Sequence, residues 1–134
     1  MTMLSTVPMF SSLGKKSLQT IADSASERTF NPGEAIVNQG EVGIGLFLVA
    51  EGQVNVEKSG KTVATLGPGN YFGEMALLDE QPRSANVRAA SHARCLVLSP
   101  WEFWGTVGKD PEALRSLLKE TIRRLRQSSP APED

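Results

Sequence analysis

From Arg28 to Ser99 the chain alternates short apolar runs with turn residues. Arg28 to Phe30 precedes Asn31-Pro32-Gly33, and Ala35 to Asn38 precedes Gln39-Gly40-Glu41. Leu46 to Ala50 precedes Glu51-Gly52. Gln53 to Lys58 alternates, with Val54 and Val56 on one face, and Ser59-Gly60-Lys61 turns it into Thr62 to Leu66. Gly67-Pro68-Gly69-Asn70 leads to Tyr71-Phe72. Ser84 to Ala89 alternates again, with Ala85, Val87 and Ala89 on one face, and Ala93 to Ser99 is the last run. Nine of the 12 glycines lie between Gly33 and Gly73. Short strands at near-regular spacing with turn signals between them predict an antiparallel sandwich, barrel or jelly roll.

Helices flank this region. Leu18, Ile21, Ala22 and Ala25 recur at the spacing of an amphipathic helix over Leu13 to Ala25. Ser99-Pro100-Trp101-Glu102 is a helix start: serine caps, proline suits the first turn, and Glu102 completes a capping box. Asp110-Pro111 starts another helix, with an expected stripe of Leu114, Leu117, Leu118, Ile122 and Leu125. Arg123, Arg124 and Arg126 near its end complement the helix dipole. The predicted architecture is one mainly β domain over residues 1–127. A helix and an eight-stranded antiparallel β jelly-roll barrel fill 8–99, and two C-terminal helices fill 100–127. Residues 128–134, Pro- and Ser-rich, are expected to be disordered.

Composition narrows the function. The 134 residues are 40% hydrophobic and 22% charged, with a net charge of −1. These are ordinary globular values, without the basic excess of a dedicated nucleic-acid binder. One cysteine, Cys95, excludes an internal disulfide framework and a cysteine-cluster zinc site. One histidine, His92, cannot supply a His-rich metal site. No run approaches the roughly 18 apolar residues of a membrane span. The first basic residue is Lys15, so the expectation is a cytoplasmic chain without a secretory leader. Cys95 reads as a small core residue, His92 as a solvated loop residue, and Trp101 and Trp104 as packing residues of a helix.

The stretch Phe72-Gly73-Glu74-Met75-Ala76-Leu77-Leu78-Asp79-Glu80-Gln81-Pro82-Arg83-Ser84-Ala85 carries the chemistry. A glycine followed by a helical turn presents free backbone N–H groups to an anion, above all a phosphate. Arg83 stands just before a strand expected to be buried, where a guanidinium needs a partner. A phosphodiester offers it two oxygens for a bidentate bond, and the acceptor-only carboxylate of Glu74 suits a sugar hydroxyl. Spacing alone equally allows a structural ion pair between Glu74 and Arg83.

Phe72-Gly73-Glu74-Met75-Ala76-Leu77 followed by Pro82-Arg83-Ser84-Ala85 resembles the phosphate-binding cassette of cyclic nucleotide-binding domains. That family includes the catabolite activator protein, kinase regulatory subunits and cyclic-nucleotide-gated channels. The resemblance runs from about Pro8 to Arg126 and takes in Met9 to Leu13, Asn31 to Glu34, Glu51 to Val54 and Leu66 to Gly69. It implies that Arg83 pairs with the exocyclic phosphate oxygens and that Glu74 accepts the ribose 2′-hydroxyl. Backbone N–H groups of Gly73, Ala76 and Ala85 would line the ligand, and Ser84 would add a hydroxyl. Val63, Phe72, Met75 and Val87 would pack around sugar and base. Leu118, Ile122, Arg123 and Arg124 would form a lid. Serine at 84, where cyclic-GMP-preferring members often carry threonine, leans towards cyclic AMP. The loop Val42 to Leu46 departs from the family pattern at Ile44 and Gly45.

The implied function is a non-catalytic sensor without metal or other cofactor, whose ligand is cyclic AMP and secondarily cyclic GMP. Its C-terminal helices would regulate an effector protein, with no nucleic-acid or membrane partner, as a monomer or homodimer. The alternatives are a ligand-free interaction scaffold, or the sensor fragment of a larger regulator or channel. Met1 and the loose tail lead to the expectation of a complete, standalone domain. A jelly-roll enzyme is disfavoured because no nucleophile–base pair and no histidine cluster is present.

Overall fold

The computed structural model describes residues 7–40, 45–74, 78, 83 and 85–128. A 3-10 turn (Pro8–Phe10) and helix α1 (Lys15–Ser24) precede the strands. These are β1 (Ser26–Phe30), β2 (Ala35–Val37), β3 (Leu46–Glu51), β4 (Val54–Lys58), β5 (Lys61–Leu66), β6 (Tyr71–Phe72), β7 (Asn86–Ala89) and β8 (Ala93–Leu98). Helix α2 (Pro100–Thr106), a 3-10 turn (Val107–Lys109) and helix α3 (Pro111–Ser128) follow. The short phosphate-binding helix expected after Gly73 falls mostly on residues outside the described set, and so does the tail beyond Ser128.

The strands form two antiparallel four-stranded sheets, ordered β1-β8-β3-β6 and β2-β7-β4-β5. This is the jelly-roll arrangement, as two sheets packed face to face rather than one closed ladder. Phe47, Val49, Phe72, Cys95 and Val97 of the first sheet interlock with Val37, Val54, Val87 and Ala89 of the second. The other face of the first sheet, through Leu46, Leu48, Tyr71 and Leu98, packs on the helices through Met9, Phe10, Ile21, Phe103 and Leu117. A sheet covered on both sides needs apolar residues at successive positions. That is why Leu46 to Val49 is buried without a break. β4 and β5 join through Ser59-Gly60, both at positive φ (53° and 76°), the geometry that matches strand twist in a two-residue hairpin.

Local signals set the helix ends. The Ser99 hydroxyl accepts from the Glu102 N–H at 3.1 Å, and the Glu102 carboxylate accepts from the Ser99 N–H at 2.9 Å, closing the expected capping box. Asp110 Oδ1 accepts from the N–H groups of Glu112 and Ala113 at the start of α3. Two expectations are corrected. Trp101 does not pack: it is 88% exposed, and α2 buries Phe103 and Thr106 instead, with Trp104 edge-on to Phe103. The buried stripe of α3 is Ala113, Leu117 and Thr121, not the leucine-rich one, and Leu118, Ile122 and Leu125 are exposed. Thr121 is tolerated inside because its hydroxyl donates to the Leu117 carbonyl at 2.8 Å. Cys95 is fully buried and His92 exposed in the β7–β8 turn.

Candidate functional site

A cavity of about 150 Å³ opens over the second sheet. Val37, Val56, Leu66 and Val87 supply its apolar floor, Lys58, Val63 and Ala64 its hairpin side, and Arg123, Arg124 and Gln127 its α3 side. Phe72, Gly73, Glu74, Arg83 and Ala85 close the remaining wall. Among the described residues the lining holds four cations, Lys58, Arg83, Arg123 and Arg124, against one carboxylate, Glu74. Such a concave, mostly apolar site with a few convergent charges fits a small anionic ligand.

Arg83 is only 6% exposed, and the fold around it is built to hold it. Its Nη1 donates to the Gly73 carbonyl at 3.2 Å and its Nη2 to the Gly45 carbonyl at 3.0 Å. The guanidinium carbon lies 5.7 Å from the centre of the Phe47 ring. Phe47 in turn stacks on Phe72, its cross-strand partner, with centroids 4.9 Å apart. Aromatic packing thus fixes the plane on which the charge rests. Gly73 has φ +93°, and a Cβ there would run into Arg83 Nη1 and stand 2.9 Å from Gly45 O. Only glycine lets the backbone come this close to the guanidinium.

Glu74 is 3% exposed, and its Oε2 accepts from Arg124 Nη1 at 2.9 Å, a bond that joins residues 50 positions apart. Arg124 is itself held from two more sides. Its Nε donates to Glu120 Oε2 at 2.8 Å, and its guanidinium sits 4.7 Å above the Tyr71 ring. Arg123 grips the same Glu120 carboxylate through Nε and Nη2. Hydrogen bonds from Arg123 first, and Arg124 with it, hold the Glu120 carboxyl below the usual carboxylate range. Burial pushes the Tyr71 phenol well above its ordinary value, with the Arg124 charge opposing.

Of the residues picked from sequence, the fold brings Gly73, Glu74, Arg83, Ala85, Val63, Phe72, Val87, Arg123 and Arg124 to the one cavity. Met75, Ala76 and Ser84 lie outside the described residues. Leu118 and Ile122 are about half exposed and stand apart from the lining. Sequence reasoning passed over Lys58, Gln127, Gly45, Tyr71 and Glu120. Strand alternation could have found Lys58, two positions after Val56, and helix spacing could have found Gln127, four after Arg123. Nothing in the sequence ties the Gly45 carbonyl to Arg83, 38 positions away.

Comparison with known proteins agrees with this geometry. A family profile described as Cyclic nucleotide-binding domain matches residues 27–110. A cAMP-dependent protein kinase regulatory subunit of Yarrowia lipolytica is 35% identical over 95% of this chain and 32% of its own length. The crystal structure of the Thermus thermophilus catabolite activator protein superposes with a TM-score of 0.78 and 33% identity, over 90% of this chain and 59% of that one. The regulatory subunit of a cAMP-independent protein kinase A from Trypanosoma brucei gives 0.82 and 29%, over 91% and 44%. The chain therefore spans less than two thirds of each of these proteins.

Proposed function

The chain belongs to the cyclic nucleotide-binding domain family, and we propose from that premise that it is a non-catalytic sensor. It takes a cyclic mononucleotide, cyclic AMP before cyclic GMP, into the cavity and answers by moving its C-terminal helices against an effector protein in the cytoplasm. The observation that carries this reading is the convergence of Arg83, Glu74 and Arg124 on one cavity.

The ligand's phosphodiester carries one negative charge and enters a cationic lining. Arg83, oriented by two carbonyls, faces the exocyclic oxygens in the bidentate manner. Glu74 keeps Oε2 for Arg124 and offers Oε1 to the ribose 2′-hydroxyl. Val56, Val63, Val87 and Phe72 cover sugar and base. The roles of Ser84, Ala76 and Met75, and with Ser84 the lean towards adenine, rest on the family resemblance. Arg124 is the arm that ties α3 to the cassette. A ligand sharing Glu74 with it binds closed and lifted positions of α3 unequally, and shifts their populations by no more than that difference in affinity. The regulatory subunit of the cAMP-independent Trypanosoma brucei kinase shares the fold, so the fold alone does not name the nucleotide.

Calorimetric titration of the purified chain with cyclic AMP and cyclic GMP, alongside Arg83→Ala, tests the reading. One site per chain is expected for cyclic AMP, at about 1 μM or tighter, equivalent to about −8 kcal/mol, with weaker binding of cyclic GMP. Arg83→Ala leaves a phosphate charge without its partner, a loss of about 2–5 kcal/mol. Absence of heat from both nucleotides overturns the sensor and leaves the ligand-free scaffold.

A further inference from the structure

Helix α3 has two working flanks. Ala113, Leu117, Thr121 and Arg124 recur at helical spacing and face the body of the protein. One residue earlier on successive turns, Glu120, Arg123 and Gln127 turn towards the cavity and its ion pairs. One residue after the core-facing set, Leu114, Leu118, Ile122 and Leu125 form a third stripe, about 100° from that set and roughly 200° around the helix from the cavity flank. Leu118, Ile122 and Leu125 are 51%, 49% and 47% exposed. Among the described residues the large hydrophobics left exposed are Val63 at the cavity and Trp101, Trp104, Leu118, Ile122 and Leu125, all five on the C-terminal helices. Beyond the third stripe lie Arg115, Lys119 and Arg126, all exposed. No ion pair engages these three among the described residues.

We propose that this outer face of α3 docks an acidic amphipathic helix of a partner protein, with Leu118, Ile122 and Leu125 as anchors and Arg115, Lys119 and Arg126 as its charged rim. The anchors stand at i, i+4 and i+7, the spacing by which one helix reads another. The charges oppose the simplest occupant, an antiparallel second copy. Arg115, Lys119 and Arg126 share one flank of this stripe, and antiparallel pairing turns like flanks to each other, with Lys119 within a residue of facing the other copy's Arg126. Like charges so placed oppose association, whereas glutamates on a partner helix meet all three. A bilayer is the poorer fit. Insertion needs a broad apolar face buried roughly 5–10 Å deep, and these side chains are already half covered on a chain of net charge −1. Because the same helix carries Arg124 to Glu74, a partner held here is mechanically joined to the cavity wall; use of that joint by a nucleotide rests on the proposed function, and the docking face does not.

The test uses the full chain without nucleotide and two dye-labelled synthetic helical peptides with leucine at every anchor position. One carries glutamate at the flanking positions and the other lysine. Fluorescence anisotropy is expected to show the glutamate peptide binding at least about tenfold tighter. Ile122→Glu should remove that binding, and Lys119→Glu with Arg126→Glu should reverse the preference, all with unchanged circular dichroism because the residues are exposed. Equal binding of both peptides, or binding of neither, overturns the proposal. So does a dimer in sedimentation velocity that Ile122→Glu dissolves, or flotation of the chain with phosphatidylserine-containing vesicles that Ile122→Glu abolishes.

Discussion

Alanine at Gly73 and alanine at Gly69 make the same chemical change in nearly the same backbone conformation, φ +93° and +90°. Both substitutions force a side chain into the left-handed region, at roughly 1–2 kcal/mol. They differ in what the new Cβ meets. At Gly69 nothing lies within 4 Å. At Gly73 the Cβ runs into Arg83 Nη1 and stands 2.9 Å from the Gly45 carbonyl oxygen. The carbonyl belongs to the backbone, so the guanidinium gives way and strains its bonds to Gly73 and Gly45. Hydrogen bonds from a charged donor are worth about 1.5–3 kcal/mol each. With one such bond lost, Gly73→Ala should cost about 3–5 kcal/mol against about 1–2 for Gly69→Ala. An unfolding entropy of about 2.1 cal/mol/K per residue makes 1 kcal/mol worth roughly 3–4 °C in a chain of this size. The melting temperature should therefore fall by roughly 4–7 °C for Gly69→Ala and by more than about 10 °C for Gly73→Ala. Urea denaturation of the two variants measures the difference, and titration with cyclic AMP gives an independent reading. Gly69→Ala should keep nucleotide affinity, and Gly73→Ala should lose at least about thirtyfold, the lower edge of breaking a charged contact. Equal destabilisation of the two, or normal binding by Gly73→Ala, would refute the claim that this glycine exists to seat Arg83.

Two further outcomes are expected. Ser99→Ala removes the hydroxyl that accepts the Glu102 N–H and should cost about 1 kcal/mol in urea denaturation, with nucleotide binding unchanged because α2 does not line the cavity. Burial pushes the Cys95 thiol up to about 11, so the folded chain should resist thiol reagents at pH 8 and label only on unfolding. The folded state thus holds this proton to higher pH than the unfolded one. The thiol's contribution to stability is full below about pH 8.5, and it falls as pH rises towards the folded value. A stability–pH series should fall more steeply for the wild type than for Cys95→Ala between about pH 8.5 and 10, above which buried Tyr71 adds its own alkaline loss to both.

Element order and helix boundaries were legible in the sequence because they rest on neighbours. The Ser99–Glu102 box, the Asp110 cap and the Ser59-Gly60 hairpin each close within a few residues, so local chemistry alone determines them. Gly73, Glu74 and Arg83 were legible too, since one loop between two strands carries them all. Relations between distant segments were not. Alternation marks one face of a strand as apolar but does not say which sheet the strand joins. The burial of β3 on both sides follows only once helices cover the first sheet. The α3 periodicity admitted several rotations of the helix about its axis. Packing against the 3-10 turn and the first sheet chose the one that buries Leu117, exposes Leu118 and Ile122, and points Arg124 at Glu74. An amphipathic pattern names a stripe only to within about a hundred degrees, and one residue's offset is that much. The tertiary structure decided which arginine reached the carboxylate and which leucines were left facing water.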